Sequence, residues 1–141
     1  MISPDYGPTP PTVLIVDDED VVRWLMVRVL EDQGYRVIPA ENGRMAWKLL
    51  HRAMGRIDAV VVDVAMPGMD GLELAARVAT LPKALPLIMT SAYPYNYRAL
   101  LNHPFLPKPF RPEELVTMVS RLLQGQLLEV TGHSVEHLLK Q

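Results

Sequence analysis

Short apolar runs and amphipathic stretches alternate along the chain. Val13-Leu14-Ile15-Val16, Ala59-Val60-Val61-Val62 and Leu87-Ile88-Met89 are too short for helices and are bounded by polar or turn residues, which predicts buried strands. Tyr35 to Ala40 predicts a weaker strand, and Phe105 to Pro107 a short one, cut by Pro107 and Pro109. Between these runs apolar residues recur at helical spacing. Val22, Leu25, Met26, Val29 and Leu30 mark a core-facing stripe in a helix near Val21 to Gln33, ended by Gly34. Met45, Leu49 and Ala53 mark a second over Arg44 to Met54, and a third covers Gly71 to Leu81 until Pro82 stops it. Pro112 starts the last, with Glu113 and Glu114 favourably placed in its first turn and Leu115, Met118, Val119, Leu122 and Leu123 as its stripe. Alternation of this kind predicts an α/β domain with helices on both faces of a parallel sheet.

Polar residues follow the predicted strands in a pattern. The first runs into Asp17-Asp18-Glu19-Asp20, and Asp63 closes the third. The fourth runs into Thr90-Ser91, and the fifth meets Lys108-Pro109. In open α/β sheets the carboxyl ends of the strands are where ligands bind. Taken singly, each residue has an ordinary reading. Aspartates cap helices and turns, Met66-Pro67-Gly68-Met69-Asp70-Gly71 is a turn by composition, and Lys108 alone would be a solvated lysine. Their agreement along the chain points to one site.

The constellation Asp17-Asp18, Asp63 with Met66 to Gly71, Ser91-Ala92 and Lys108-Pro109-Phe110 resembles the receiver domain of two-component response regulators, over roughly residues 11 to 126. The resemblance implies a flavodoxin-like, doubly wound sheet of five parallel strands in the order 2-1-3-4-5. It implies Asp63 as phosphoacceptor for a histidine kinase or histidine phosphotransfer protein. Three carboxylates drawn together repel one another, and a divalent ion removes the conflict; hard oxygen donors suit Mg²⁺. By the family pattern Asp18 and Asp63 would touch the metal, Asp17 would act through water, and the Ala65 backbone carbonyl would be a further ligand. Lys108 would neutralise phosphoryl charge, aimed by a cis Lys108-Pro109 bond, and Ser91 would hydrogen-bond a phosphoryl oxygen. Ser91 and Phe105 would form the switch, with Phe105 lacking the hydroxyl of the tyrosine common at that place; a plain core role for Phe105 stays open.

The remaining features bound this picture. The chain has 141 residues, a net charge of −2 and no cysteine, which excludes disulfides and thiolate chemistry, and nothing in that balance suggests the basic face that direct nucleic-acid binding needs. No apolar run approaches membrane-spanning length, so the expected location is the cytoplasm. Residues 1–11 are expected to form a flexible Pro-rich arm, 12–126 the receiver, and 127–141 a tail with a short helix from Ser134 to Lys140. The tail could dock on the domain, pair two chains as a homodimer, or open a linker. Between Ser91 and Phe105, Pro94 and Pro104 leave room only for a short or irregular fourth helix, with a tyrosine cluster at Tyr93, Tyr95 and Tyr97 that is either a partner surface or a self-packed loop. Tyr93 and Ala65, each two residues past a site residue, would flank the phosphoryl group. His133 and His137 lie four apart and lack further ligands for a metal. Two rival functions remain: an interaction module not controlled by phosphorylation, and a Mg²⁺-dependent hydrolase with an aspartyl-phosphate intermediate. The hydrolase would need a second acid where Ala65 stands. The downstream target is not readable from the sequence.

Overall fold

A computed structural model describes residues 9–53, 55–92 and 103–126 of the chain. Five parallel strands form one sheet in the order β2-β1-β3-β4-β5: β1 Thr12–Val16, β2 Arg36–Ala40, β3 Ala59–Asp63, β4 Leu87–Ser91 and β5 Phe105–Pro107. Four helices are described, α1 Asp20–Asp32, α2 Gly43–Ala53, α3 Gly71–Val78 and α4 Pro112–Leu123. The fold class is the one expected from the alternation of runs, and the strand order is the one implied by the resemblance. The segment of the short or irregular helix, the tyrosine cluster and the tail helix lie outside the described residues.

Strand position explains strand composition. β1, β3 and β4 have neighbours on both sides and are covered on both faces, so nearly all their residues are buried. β2 and β5 are edges, where Pro39 and Pro107 are tolerated because a ladder donor can be dispensed with. The two-residue period divides the interior into two layers. Leu14, Val16, Val60, Val62, Leu87, Met89 and Phe105 point to the side of α2 and α3, where they meet Ala46, Leu50, Leu74 and Val78. Val13, Ile15, Ala59, Val61, Ile88 and Leu106 point to the other side, against Met26, Val27 and Leu30 of α1 and Leu115, Val119 and Leu122 of α4.

Three helical details differ from the sequence reading. The buried face of α1 carries Arg23, Met26, Val27 and Leu30; of the expected stripe Met26 and Leu30 are buried, Val22 and Val29 pack partly buried against the core, and Leu25 is exposed. In α2 the buried residues are Gly43, Ala46 and Leu50; Leu49 and Ala53 of the expected stripe pack partly buried against the same core, and Met45 is exposed. Both helices carry apolar residues on more than one face, and the strands beneath select which is covered. α3 ends at Val78, ahead of the expected Leu81; Ala79, Thr80 and Leu81 continue as a turn, with the Leu81 N–H donating to the Val78 carbonyl at 3.1 Å.

Candidate functional site

The site residues stand where the sheet ladder runs out. The Asp17 N–H donates to the Ala40 carbonyl at 3.2 Å, the Val64 N–H to Thr90 at 2.8 Å, and the Lys108 N–H to Ser91 at 2.9 Å. Each segment is therefore held by a backbone bond to its neighbour as it leaves the sheet. Asp63 and Ser91 are the last residues of β3 and β4, and both are buried.

The turn after β3 is fixed by close approach. The Gly71 N–H donates to the Val64 carbonyl at 3.0 Å. A Cβ at Gly71 would lie 2.5 Å from the Asp63 carbonyl oxygen and 2.8 Å from Val64 Cα, so no side chain fits there. Gly68, at φ +76°, supplies the left-handed residue that closes the turn. Asp70 then caps α3 by accepting from the Glu73 N–H at 2.8 Å.

These segments bring Asp17, Asp18, Asp63 and Lys108 together. Asp17 is fully buried, Asp63 is 4% exposed, and Asp18 faces solvent. The Lys108 ammonium bridges the two buried acids, 2.8 Å from Asp17 Oδ2 and 3.1 Å from Asp63 Oδ2, with Glu19 Oε1 at 3.9 Å. Asp17 Oδ1 accepts from the Glu19 N–H at 2.9 Å, and Asp63 Oδ1 from the Ala65 N–H at 3.1 Å. The Lys108-Pro109 peptide bond is cis.

Charge in this pocket is unbalanced. Burial raises the Asp63 carboxyl above its ordinary value; the Lys108 charge and hydrogen bond oppose the rise, and the Asp17 charge adds to it. Burial pulls the Lys108 ammonium down, but Asp17 and then Asp63 outweigh it, so the net shift is upward and the lysine stays charged. One cation thus serves two buried carboxylates, with Asp18 as a third at the rim. Carboxylate oxygens of Asp17, Asp18 and Asp63 lie within 4.8 Å of one another. An all-oxygen, net-negative donor set of this kind fits a hard divalent cation.

Other expected residues are placed less directly. Ala65 is half-buried and lies beside the acids through its N–H bond to Asp63. The Phe105 ring is buried in the α2–α3 layer, in the cluster that includes Val62 and Met89. Tyr93, His133 and His137 lie outside the described residues. Two nearby side chains were missed. Glu19 approaches Lys108, and Arg23 is buried with Nη1 2.8 Å from the Asp17 carbonyl. A charged residue at a core-facing helical position was the available signal for Arg23. Among the described residues no helix is long and apolar enough to cross a membrane.

Comparison with known proteins agrees with this geometry. Residues 13–120 match the model of the response regulator receiver domain. The chain is 38% identical over 120 residues to the sensor kinase CckA of Brucella abortus, a match covering 82% of this chain and 13% of that protein. It is 41% identical over 116 residues to an uncharacterized 14.6 kDa protein of Leptolyngbya boryana, covering 77% of this chain and 87% of that one. The solved structure of the Vibrio cholerae chemotaxis protein CheY4 superposes with a TM-score of 0.70 at 31% identity, covering 81% of this chain and 99% of CheY4.

Proposed function

Because the chain belongs to the response regulator receiver domain family, we propose that it accepts a phosphoryl group on Asp63 and uses that modification to switch protein contacts in two-component signalling. The observation that carries this reading is the buried Asp63 carboxylate at the end of β3, paired with Lys108 and flanked by Asp17 and Asp18. An Asp63 oxygen attacks the phosphorus of a phosphohistidine on a histidine kinase or phosphotransfer protein. The new P–O bond forms as the P–N bond breaks, and the imidazole leaves with the electron pair and takes up a proton. Asp18, Asp63 and the Ala65 carbonyl would hold Mg²⁺, with Asp17 acting through water, and the ion would supply positive charge against the phosphoryl oxygens. Lys108 contributes its ammonium, and Ser91 donates a hydrogen bond to the group.

The added charge and acceptor oxygens draw Ser91 toward the site, and the Phe105 ring takes the space it leaves. The domain thereby acts as a signalling element, with residues 12–126 as the receiver, 1–11 as an arm and 127–141 as a tail. We place it in the cytoplasm, contacting proteins rather than nucleic acid or membrane. The phosphodonor docks on the first turns of α1. There Val21, Trp24 and Leu25 are 83%, 55% and 51% exposed, an apolar stripe beginning one residue beyond Asp20 and the acid pair.

The test is intact-mass measurement after incubation with acetyl phosphate and Mg²⁺, beside Asp63→Ala. A single acid-stable, base-labile phosphoryl adduct missing from Asp63→Ala is expected. No adduct, together with no binding of Mg²⁺ or beryllofluoride, overturns the reading.

A further inference from the structure

Arg23 lies on the covered face of α1 among Met26, Val27 and Leu30 and is only 6% exposed. A guanidinium at such a position is costly unless its N–H groups are satisfied. Nη1 donates to the Asp17 carbonyl at 2.8 Å, and Nη2 to Asp20 Oδ1 at 2.6 Å. The first bond bears directly on the acid pocket. The carbonyl it holds belongs to the peptide that joins Asp17 to Asp18, and the plane of that peptide sets the direction in which the Asp18 side chain leaves the backbone.

The neighbouring carboxylate does not depend on this clamp. Asp17 is held through its own side chain, Oδ1 by the Glu19 N–H and Oδ2 by Lys108. Asp18 is different. Its exposed carboxylate has no hydrogen bond or ion pair among the described residues, so its aim comes from the backbone alone. Yet it shares a 4.8 Å cluster with Asp17 and Asp63. We propose that Arg23 is a positioning residue of the acid pocket: by fixing the Asp17-Asp18 peptide it aims Asp18 at the divalent cation and sets the affinity for it. This deepens, and rests on, the reading of the pocket as a Mg²⁺ site.

Two effects of Arg23 have opposite signs, which makes the proposal testable. As a bare positive charge, Arg23 repels a cation, and its removal tightens Mg²⁺ binding. As a clamp, it strengthens binding, and its removal loosens the site. The experiment titrates MgCl₂ into the full chain and follows the amide NMR shifts of Asp17 and Asp18, for wild type, Arg23→Lys and Arg23→Met. Loss of a charge-assisted hydrogen bond predicts about tenfold weaker Mg²⁺ binding in Arg23→Met, and about threefold in Arg23→Lys, whose ammonium reaches one of the two oxygens but cannot fork between them. Labelling by acetyl phosphate at saturating Mg²⁺ stays within about threefold of wild type in both, because mass action refills the misaimed site. If Arg23→Met does not fold, Arg23→Lys alone decides. Unchanged or tighter binding overturns the proposal, as does labelling lost equally at low and saturating Mg²⁺, the mark of a merely structural role. Absence of binding by the wild type overturns the Mg²⁺ reading itself, a separate result.

Discussion

Replacing Lys108 by methionine keeps most of the stem and removes the ammonium that serves two buried acids. In the folded protein that ammonium lies 2.8 Å from Asp17 Oδ2 and 3.1 Å from Asp63 Oδ2, with the lysine side chain 9% exposed. Taking one partner from a buried ion pair costs about 3 to 5 kcal/mol, because the remaining charge is left desolvated. That is a large share of the about 5 to 15 kcal/mol that holds a domain together. The cost depends on pH. Burial already raises Asp63 above 3.8, so its folded form holds a proton to higher pH than its unfolded form. A group shifted in this direction favours folding below its unfolded pKa, and that contribution is lost as pH rises through the folded pKa. Lys108 opposes the shift, and Lys108→Met lets Asp63 rise further. The stability gap between wild type and variant therefore narrows as pH falls and Asp63 takes up its proton, and widens toward neutral pH. Urea unfolding at about pH 5 and about pH 7.5, without divalent cations, measures the gap from midpoint and slope. Added MgCl₂ narrows it at neutral pH by replacing the missing charge. A gap below about 1 kcal/mol at neutral pH, or one equal at the two pH values, refutes the reasoning.

Two further substitutions probe the frame around the pocket. Gly71→Ala would push a methyl to 2.5 Å from the Asp63 carbonyl. Overpacking of that kind costs about 1 to 3 kcal/mol, and the shift of the β3 end slows acetyl phosphate labelling; a variant equal to wild type in melting temperature and labelling rate contradicts the fit. Thr90 pairs in register with Asp63, and its buried Oγ1 has no hydrogen-bond partner among the described residues. Thr90→Val keeps the shape and removes the orphan group, so thermal unfolding is expected to show a gain of about 1 kcal/mol, and a loss of that size contradicts the hydroxyl's isolation.

What could be read ahead of the structure follows from the range of the interactions involved. Ala59-Val60-Val61-Val62 announces a central strand because burial on both faces leaves room for nothing polar, and Asp63 stands out against it. The same logic located Asp17 and Asp18 after β1. It also located Ser91 at the end of β4 and Lys108 after β5, so the sheet edge was legible one strand at a time. The edge of the α1 stripe was not. Of the expected residues, Val22, Met26, Val29 and Leu30 meet the core and Leu25 does not, and a helical period alone does not decide that the covered face extends to Arg23 and Val27 instead. The choice is made by tertiary partners. The face that carries Arg23 can be buried because the Asp17 carbonyl, just past the end of β1, accepts from its guanidinium. Lys108 poses the same problem at longer range, since its two acids are 91 and 45 residues away in sequence and only the strand order brings them into reach. The two residues are linked in consequence as well. The setting of α1 that hides Arg23 also leaves Val21, Trp24 and Leu25 facing solvent. The proposed clamp on the Asp17-Asp18 peptide and the apolar stripe proposed as the phosphodonor's docking face thus depend on the same helix orientation, and a change that turned Leu25 inward would disturb both.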